Sequence, residues 1–83
     1  MEETKVYDST LFKEALVGKV LKDVAEILSE KGYNPINQIV GYLMSGDPGF
    51  ISNYKSARKK IISINRSELL DFLVKEYLNK WDI

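Results

Sequence analysis

Chemistry on this chain has few places to start. There is no Cys and no His, which removes thiolate nucleophiles, disulfides, thiolate or imidazole metal ligation and the commonest general base. The carboxylates are scattered, and none pairs with a convergent polar partner in an acid–base couple. Ser45-Gly46-Asp47-Pro48-Gly49 lacks the spacing and the Lys of a phosphate loop and reads as a helix–turn–helix junction. Two features remain. Thr10 follows Asp8 and Ser9 and precedes Leu11-Phe12, so its hydroxyl is either a helix N-cap or a phosphate acceptor at a helix start, where the dipole favours negative charge. From the residues alone the cap is the commoner role. The second feature is a basic block, Lys55, Arg58, Lys59, Lys60 and Arg66, with no acid between residues 55 and 66.

The charge map sharpens that contrast. Twelve basic and twelve acidic residues cancel overall, yet residues 1–30 carry seven acids against four bases and 67–83 four against two. From Gly32 to Tyr54 the only charge is Asp47. A local basic block in a neutral protein, with a pI of about 6.2, favours a solvated face or a protein-docking surface over nucleic acid, whose binding domains are usually basic throughout. A small nucleic-acid-binding helical dimer using 55–66 is the alternative. Arg58, flanked by Lys59 and Lys60, is expected on an exposed surface, so that Arg58→Ala would leave stability nearly unchanged.

Helices must position these residues. Residues 1–9 show no periodicity and read as a flexible tail, leaving 10–83 as a single helical domain. Val17, Val20, Leu21, Val24, Ile27 and Leu28 keep helical spacing. Ser9 or Thr10 is the expected cap, and Gly18 makes a late start near Lys19 plausible. Gly32 ends that helix and Tyr33 folds back on Leu28. Asn34-Pro35 opens a second helix with an apolar stripe of Ile36, Ile39, Val40, Leu43 and Met44. Its other face, Asn37, Gln38, Gly41 and Tyr42, is polar but uncharged, and is expected to touch protein, within the fold or across a dimer. Gly46, Asp47 and Pro48 stop it. Tyr54, Ala57, Arg58, Ile61, Ile62 and Ile64 continue helically. Asn65 caps a last helix, with Glu68 at the capping-box position and Leu70, Leu73, Val74, Tyr77, Leu78 and Trp81 in a stripe. No stretch alternates with period two. The expected fold is all-α: a compact bundle of about four to five short helices. Apolar stripes this broad exceed what 83 residues can bury alone, which makes a homodimer the expectation, with Ile36, Ile39, Val40, Gly41, Tyr42 and Leu43 as its packing residues. With no signal-peptide pattern and no long apolar run, the expected place is the cytoplasm, without membrane contact or cofactor.

The eighteen-residue run Lys31-Gly32-Tyr33-Asn34-Pro35-Ile36-Asn37-Gln38-Ile39-Val40-Gly41-Tyr42-Leu43-Met44-Ser45-Gly46-Asp47-Pro48 closely resembles the signature KGYNPINQIVGYLLSGDP of the IreB/ReoM family of Gram-positive bacteria. The resemblance covers about residues 20–80. It implies a small, helical, homodimeric cytoplasmic regulator that is a substrate of a PASTA-domain Ser/Thr kinase and its cognate phosphatase. It implies a role in peptidoglycan synthesis and cephalosporin resistance, through ClpCP-dependent degradation of MurA that phosphorylation relieves. The family's modified tail Thr, followed by a hydrophobic residue, corresponds to Thr10; Tyr7 stands where some members carry a second Thr. Arg58, Arg66 and Glu68 match a basic run of the family, whereas an earlier Arg and a His of that run have no counterpart. Lys55, Arg58, Lys59 and Arg66 are therefore the expected partner-binding residues, and the altered segment 51–68 leaves room for a different target.

Overall fold

The structure is a computed structural model that describes residues 9–83, with side chains from residue 11 onward. Residues 1–8 of the expected tail and the side chain of Thr10 lie outside the described residues, while Ser9, expected in the tail, stands in the first helix. Four helices follow in order: α1 (Ser9–Glu30), α2 (Pro35–Ser45), α3 (Ala57–Ile62) and α4 (Arg66–Asn79), with 3-10 turns at Pro48–Phe50 and Tyr54–Ser56 and no strand among the described residues. The all-helical expectation holds. α1 is the central element, packing against each of the other three helices.

The helix starts and stops follow the turn chemistry of the sequence in most places. Gly32, at φ 91°, closes α1 in a Schellman arrangement: the Tyr33 N–H donates to the Leu28 carbonyl and the Gly32 N–H to that of Ser29, both at 3.0 Å. Asn34 caps α2, its side-chain oxygen accepting from the Asn37 N–H at 3.1 Å, and Pro35 occupies the first turn. Gly46 takes the left-handed conformation after α2. The Asp47 carboxylate accepts from the Gly49 N–H at 2.8 Å. Asn65 caps α4 through the Ser67 and Glu68 N–H groups. The Glu68 carboxylate instead meets Lys13 of α1 at 3.3 Å.

Three expectations are corrected. α1 begins at Ser9, which puts both Ser9 and Thr10 inside the helix, so neither is its cap and a start near Lys19 does not describe it. Gly18 is not a start signal but a point of close approach: a Cβ there would stand 3.0 Å from the tip of the Phe72 ring on α4. The expected continuous helix from Tyr54 is broken, because Lys55 (φ 49°) and Ser56 (φ 63°) are both left-handed, and α3 proper starts at Ala57.

The core is Val17, Val24 and Leu28 of α1, Tyr42 of α2, Ile51, Ala57 and Ile61 around α3, and Leu69 of α4, with Ile39, Leu43, Phe72 and Leu73 packed against it. On α2 Gln38, Gly41 and Tyr42 of the polar face turn inward, while Asn37 stays exposed. Tyr42 is 6% exposed, Gln38 accepts from the Ser52 N–H at 2.8 Å, and Phe50 fills the space over Gly41, where a Cβ would lie 2.6 Å from the ring. The predicted protein contact of this face is thus made within the chain.

Candidate functional site

What α2 turns outward is apolar. Ile36 is 72% and Met44 83% exposed, and Val40 is exposed as well. Pro35, Ile36 and Val40 of α2 form one wall of a groove of about 290 Å³, with Leu21 and Ala25 of α1 and Leu73 of α4 completing it. Along α4 the buried side is Leu69, Phe72 and Leu73. Leu70, Val74, Tyr77 and Trp81, four members of the predicted stripe, face solvent instead. Of the expected packing residues, Ile36 and Val40 lie on this exposed face, Ile39 and Leu43 sit half-buried at its base, and Gly41 and Tyr42 point into the chain's own fold.

Three of the five residues of the basic block bond to other parts of the chain. The Lys55 ammonium donates to Glu30 at 2.8 Å and lies 5.5 Å from the centre of the Tyr54 ring. That bond and the Lys55 charge hold the Glu30 carboxyl below its ordinary 4.5, and the same bond raises the Lys55 ammonium above 10.5. Arg58 corrects the sequence expectation. It is half-buried, and its Nε donates to the Ile51 carbonyl at 2.9 Å, pinning the loop before α3 to α3 itself. Its place in the chain beside two lysines says nothing of this, because α3 is short and its first turn faces inward. Arg66 lies over the end of α2, its Nη1 3.4 Å from the Leu43 carbonyl, a position where the helix dipole favours a cation. Lys59 and Lys60 remain exposed to solvent.

A set of charges that sequence reading did not single out joins the start of α1 to α4. Lys75 Nζ meets Glu14 at 3.0 Å and Asp71 at 3.2 Å, and Lys13 meets Glu68 at 3.3 Å. Hydrogen bonds to both carboxylates hold the Lys75 ammonium above 10.5. Asp71 and Lys75 show the i,i+4 spacing of a helix pair, the one part of this set visible in sequence. The others join residues 55 and 61 positions apart.

Among the described residues no three His, Cys, Asp or Glu gather as a metal site, and no helix is long and apolar enough to cross a membrane. Capped helices, exposed apolar faces and ion pairs on the surface define a small all-helical protein. Its family follows from comparison: the model of the IreB regulatory phosphoprotein family matches residues 2–79, and the chain belongs to that family. A regulatory role comes with that membership.

Proposed function

We propose that this protein is a non-enzymatic regulator of peptidoglycan synthesis and cephalosporin resistance, switched by phosphorylation of Thr10 by a PASTA-domain Ser/Thr kinase and reset by its phosphatase. It acts in the cytoplasm as a homodimer. In its unphosphorylated form it promotes ClpCP-dependent degradation of MurA. The observation that carries the reading is the family match across residues 2–79, which includes the whole α2 signature. The exposed apolar face that this signature presents at Ile36, Val40 and Met44 suits a protein that works by contact with other proteins. Of the expected partner residues, Lys55, Lys59 and Arg66 are exposed, with Lys55 and Arg66 also bonded to other parts of the chain, whereas the half-buried Arg58 contributes through the loop it braces.

The test is reconstitution. MurA, ClpC and ClpP are incubated with the protein in its unmodified form and with phosphothreonine at position 10. The unmodified protein should shorten the half-life of MurA several-fold, and the phosphorylated form should not. An unchanged MurA half-life with the unmodified protein would remove MurA as the target. Modification by the kinase at a residue other than Thr10 would remove the switch.

A further inference from the structure

The first two turns of α1 stand apart from the core. The first buried side chain of α1 is Val17, and before it Leu11, Phe12 and Leu16 are all exposed, Phe12 at 69%. No acidic residue supports the first turn of the helix. Among the described side chains, the bonds that tie this stretch to the rest of the chain are ionic: Lys13 to Glu68, and Glu14 to Lys75, which is shared with Asp71. Between them lies a cleft of about 210 Å³ with Val17 at its floor. Exposed ion pairs are individually weak and screened by salt, so this stretch is free to leave α4 without disturbing Val24 or Leu28 deeper along the same helix. A segment secured by few apolar contacts belongs to the low-stability end of a fold.

Position 10 precedes Lys13 by three residues, Glu14 by four and Val17 by seven, the spacing that places residues on one helix face. The cleft already holds three carboxylates, Glu14, Glu68 and Asp71, against two ammonium groups, Lys13 and Lys75. A phosphate adds about −1.5 to −2 charges. It would compete with Glu68 for Lys13, and it would repel Glu14 and Glu68. We propose that the first two turns of α1 are an ionic latch on α4, and that phosphate on Thr10 opens it. The proposal rests on Thr10 as the modified residue and supplies what the modification does. The helix itself survives opening, because a phosphate near a helix N-terminus is favoured by the dipole. What changes is where α1's exposed Leu11, Phe12 and Leu16 stand relative to α4, and hence the surface offered to a partner.

The chain lacks Cys, so spin labels can be placed at introduced Phe12→Cys and Glu76→Cys in the full-length protein. Labelled protein is diluted into unlabelled protein so that only pairs within one chain are read. The distance distribution measures the placement of α1 against α4, independent of helicity. It should be narrow at low ionic strength and about twofold broader in 0.5 M salt and in Lys75→Gln. Phosphothreonine incorporated at position 10 without the kinase should broaden it to a similar degree. A distribution that Lys75→Gln and salt leave unchanged overturns the latch. Broadening by both but not by the phosphate overturns its coupling to Thr10. Because the phosphate is installed directly, a kinase that ignores Thr10 counts against the proposed switch and leaves the result on the latch intact.

Discussion

At the scale of residues, three of the side chains that sequence offers as free for partners, Lys55, Arg58 and Arg66, are bonded within the chain. Arg58 is the clearest case. Its bond to the Ile51 carbonyl serves a residue that is fully buried, so removing the donor strands that carbonyl. Arg58→Ala should cost about 1–3 kcal/mol, read as a lower urea midpoint at unchanged slope. A midpoint equal to the parent's would restore the exposed, partner-facing Arg58 of the sequence reading. Three residues earlier, Lys55 and Ser56 hold consecutive left-handed conformations, which disfavour any residue with a Cβ. Ser56→Gly should therefore stabilise the protein by about 0.5–1 kcal/mol, whereas Ser56→Val should destabilise it. The Glu30–Lys55 pair closes the same turn. Glu30 has a lowered pKa, so its contribution is present above the ordinary carboxylate range and is lost as pH falls through the lowered value. Lys55, raised above 10.5, keeps its contribution until strongly alkaline pH. Glu30→Gln should lower the thermal midpoint at pH 7, and its gap to the parent should close as pH falls below the ordinary carboxylate range and through the lowered pKa of Glu30. A gap that persists at pH 2 would assign the effect to packing instead.

At the scale of elements, caps were legible in sequence and faces were only partly so. Asn34-Pro35, Gly46-Asp47-Pro48 and Asn65 act where their turn chemistry places them, because capping is local and a few residues contain the whole bond set. Faces are settled by distant residues. On α2 hydropathy alone would bury Ile36, Ile39, Val40, Leu43 and Met44, yet Ile36 and Met44 stand in solvent while Tyr42 is buried. The uncharged strip of Gln38, Gly41 and Tyr42 was the better guide, and sequence did not say that Phe50 and the Ser52 N–H would meet it. The break at Lys55-Ser56 was illegible for a different reason: neither residue is Gly or Asn, and the apolar spacing runs straight through it. The contact at Gly41 gives a direct measurement. Gly41→Ala puts a methyl into the Phe50 ring and should cost about 1–3 kcal/mol. Phe50 is half exposed, so Phe50→Ala in the same chain should remove most of that penalty. In a double-mutant cycle the coupling should exceed about 0.5 kcal/mol; additive effects would mean that Gly41 is set by something other than the ring.

At the scale of the whole molecule, the chain is longer and more open than its size requires. Its radius of gyration is 14.8 Å with extents of 51 × 28 × 22 Å, against about 12 Å for a compact chain of this length. Several apolar side chains lack cover: Ile36, Val40 and Met44 on α2, and Leu70, Val74, Tyr77 and Trp81 on α4, the last 63% exposed. A groove lined by Leu21, Pro35, Ile36, Val40 and Leu73 separates these two helix faces. A second copy packed about a two-fold axis is the proposed cover for these exposed apolar side chains and the groove. A standard interface covers about 800 Å² per partner. Sedimentation equilibrium at micromolar concentration should give twice the 9.5 kDa chain mass. Val40→Asp places a charge in the groove and should shift the mass toward the single chain by at least tenfold weaker association, since burying an unpaired carboxylate is strongly unfavourable. Because Val40 is exposed in the chain alone, the helical signal of this variant should survive, which separates a lost interface from a lost fold. Lys59→Ala, on the exposed basic segment, should leave the mass at the dimer value. A single-chain mass for the parent protein would instead mean that the exposed apolar side chains and the groove are kept for a different partner, and Val40→Asp would then disturb that partner's binding alone.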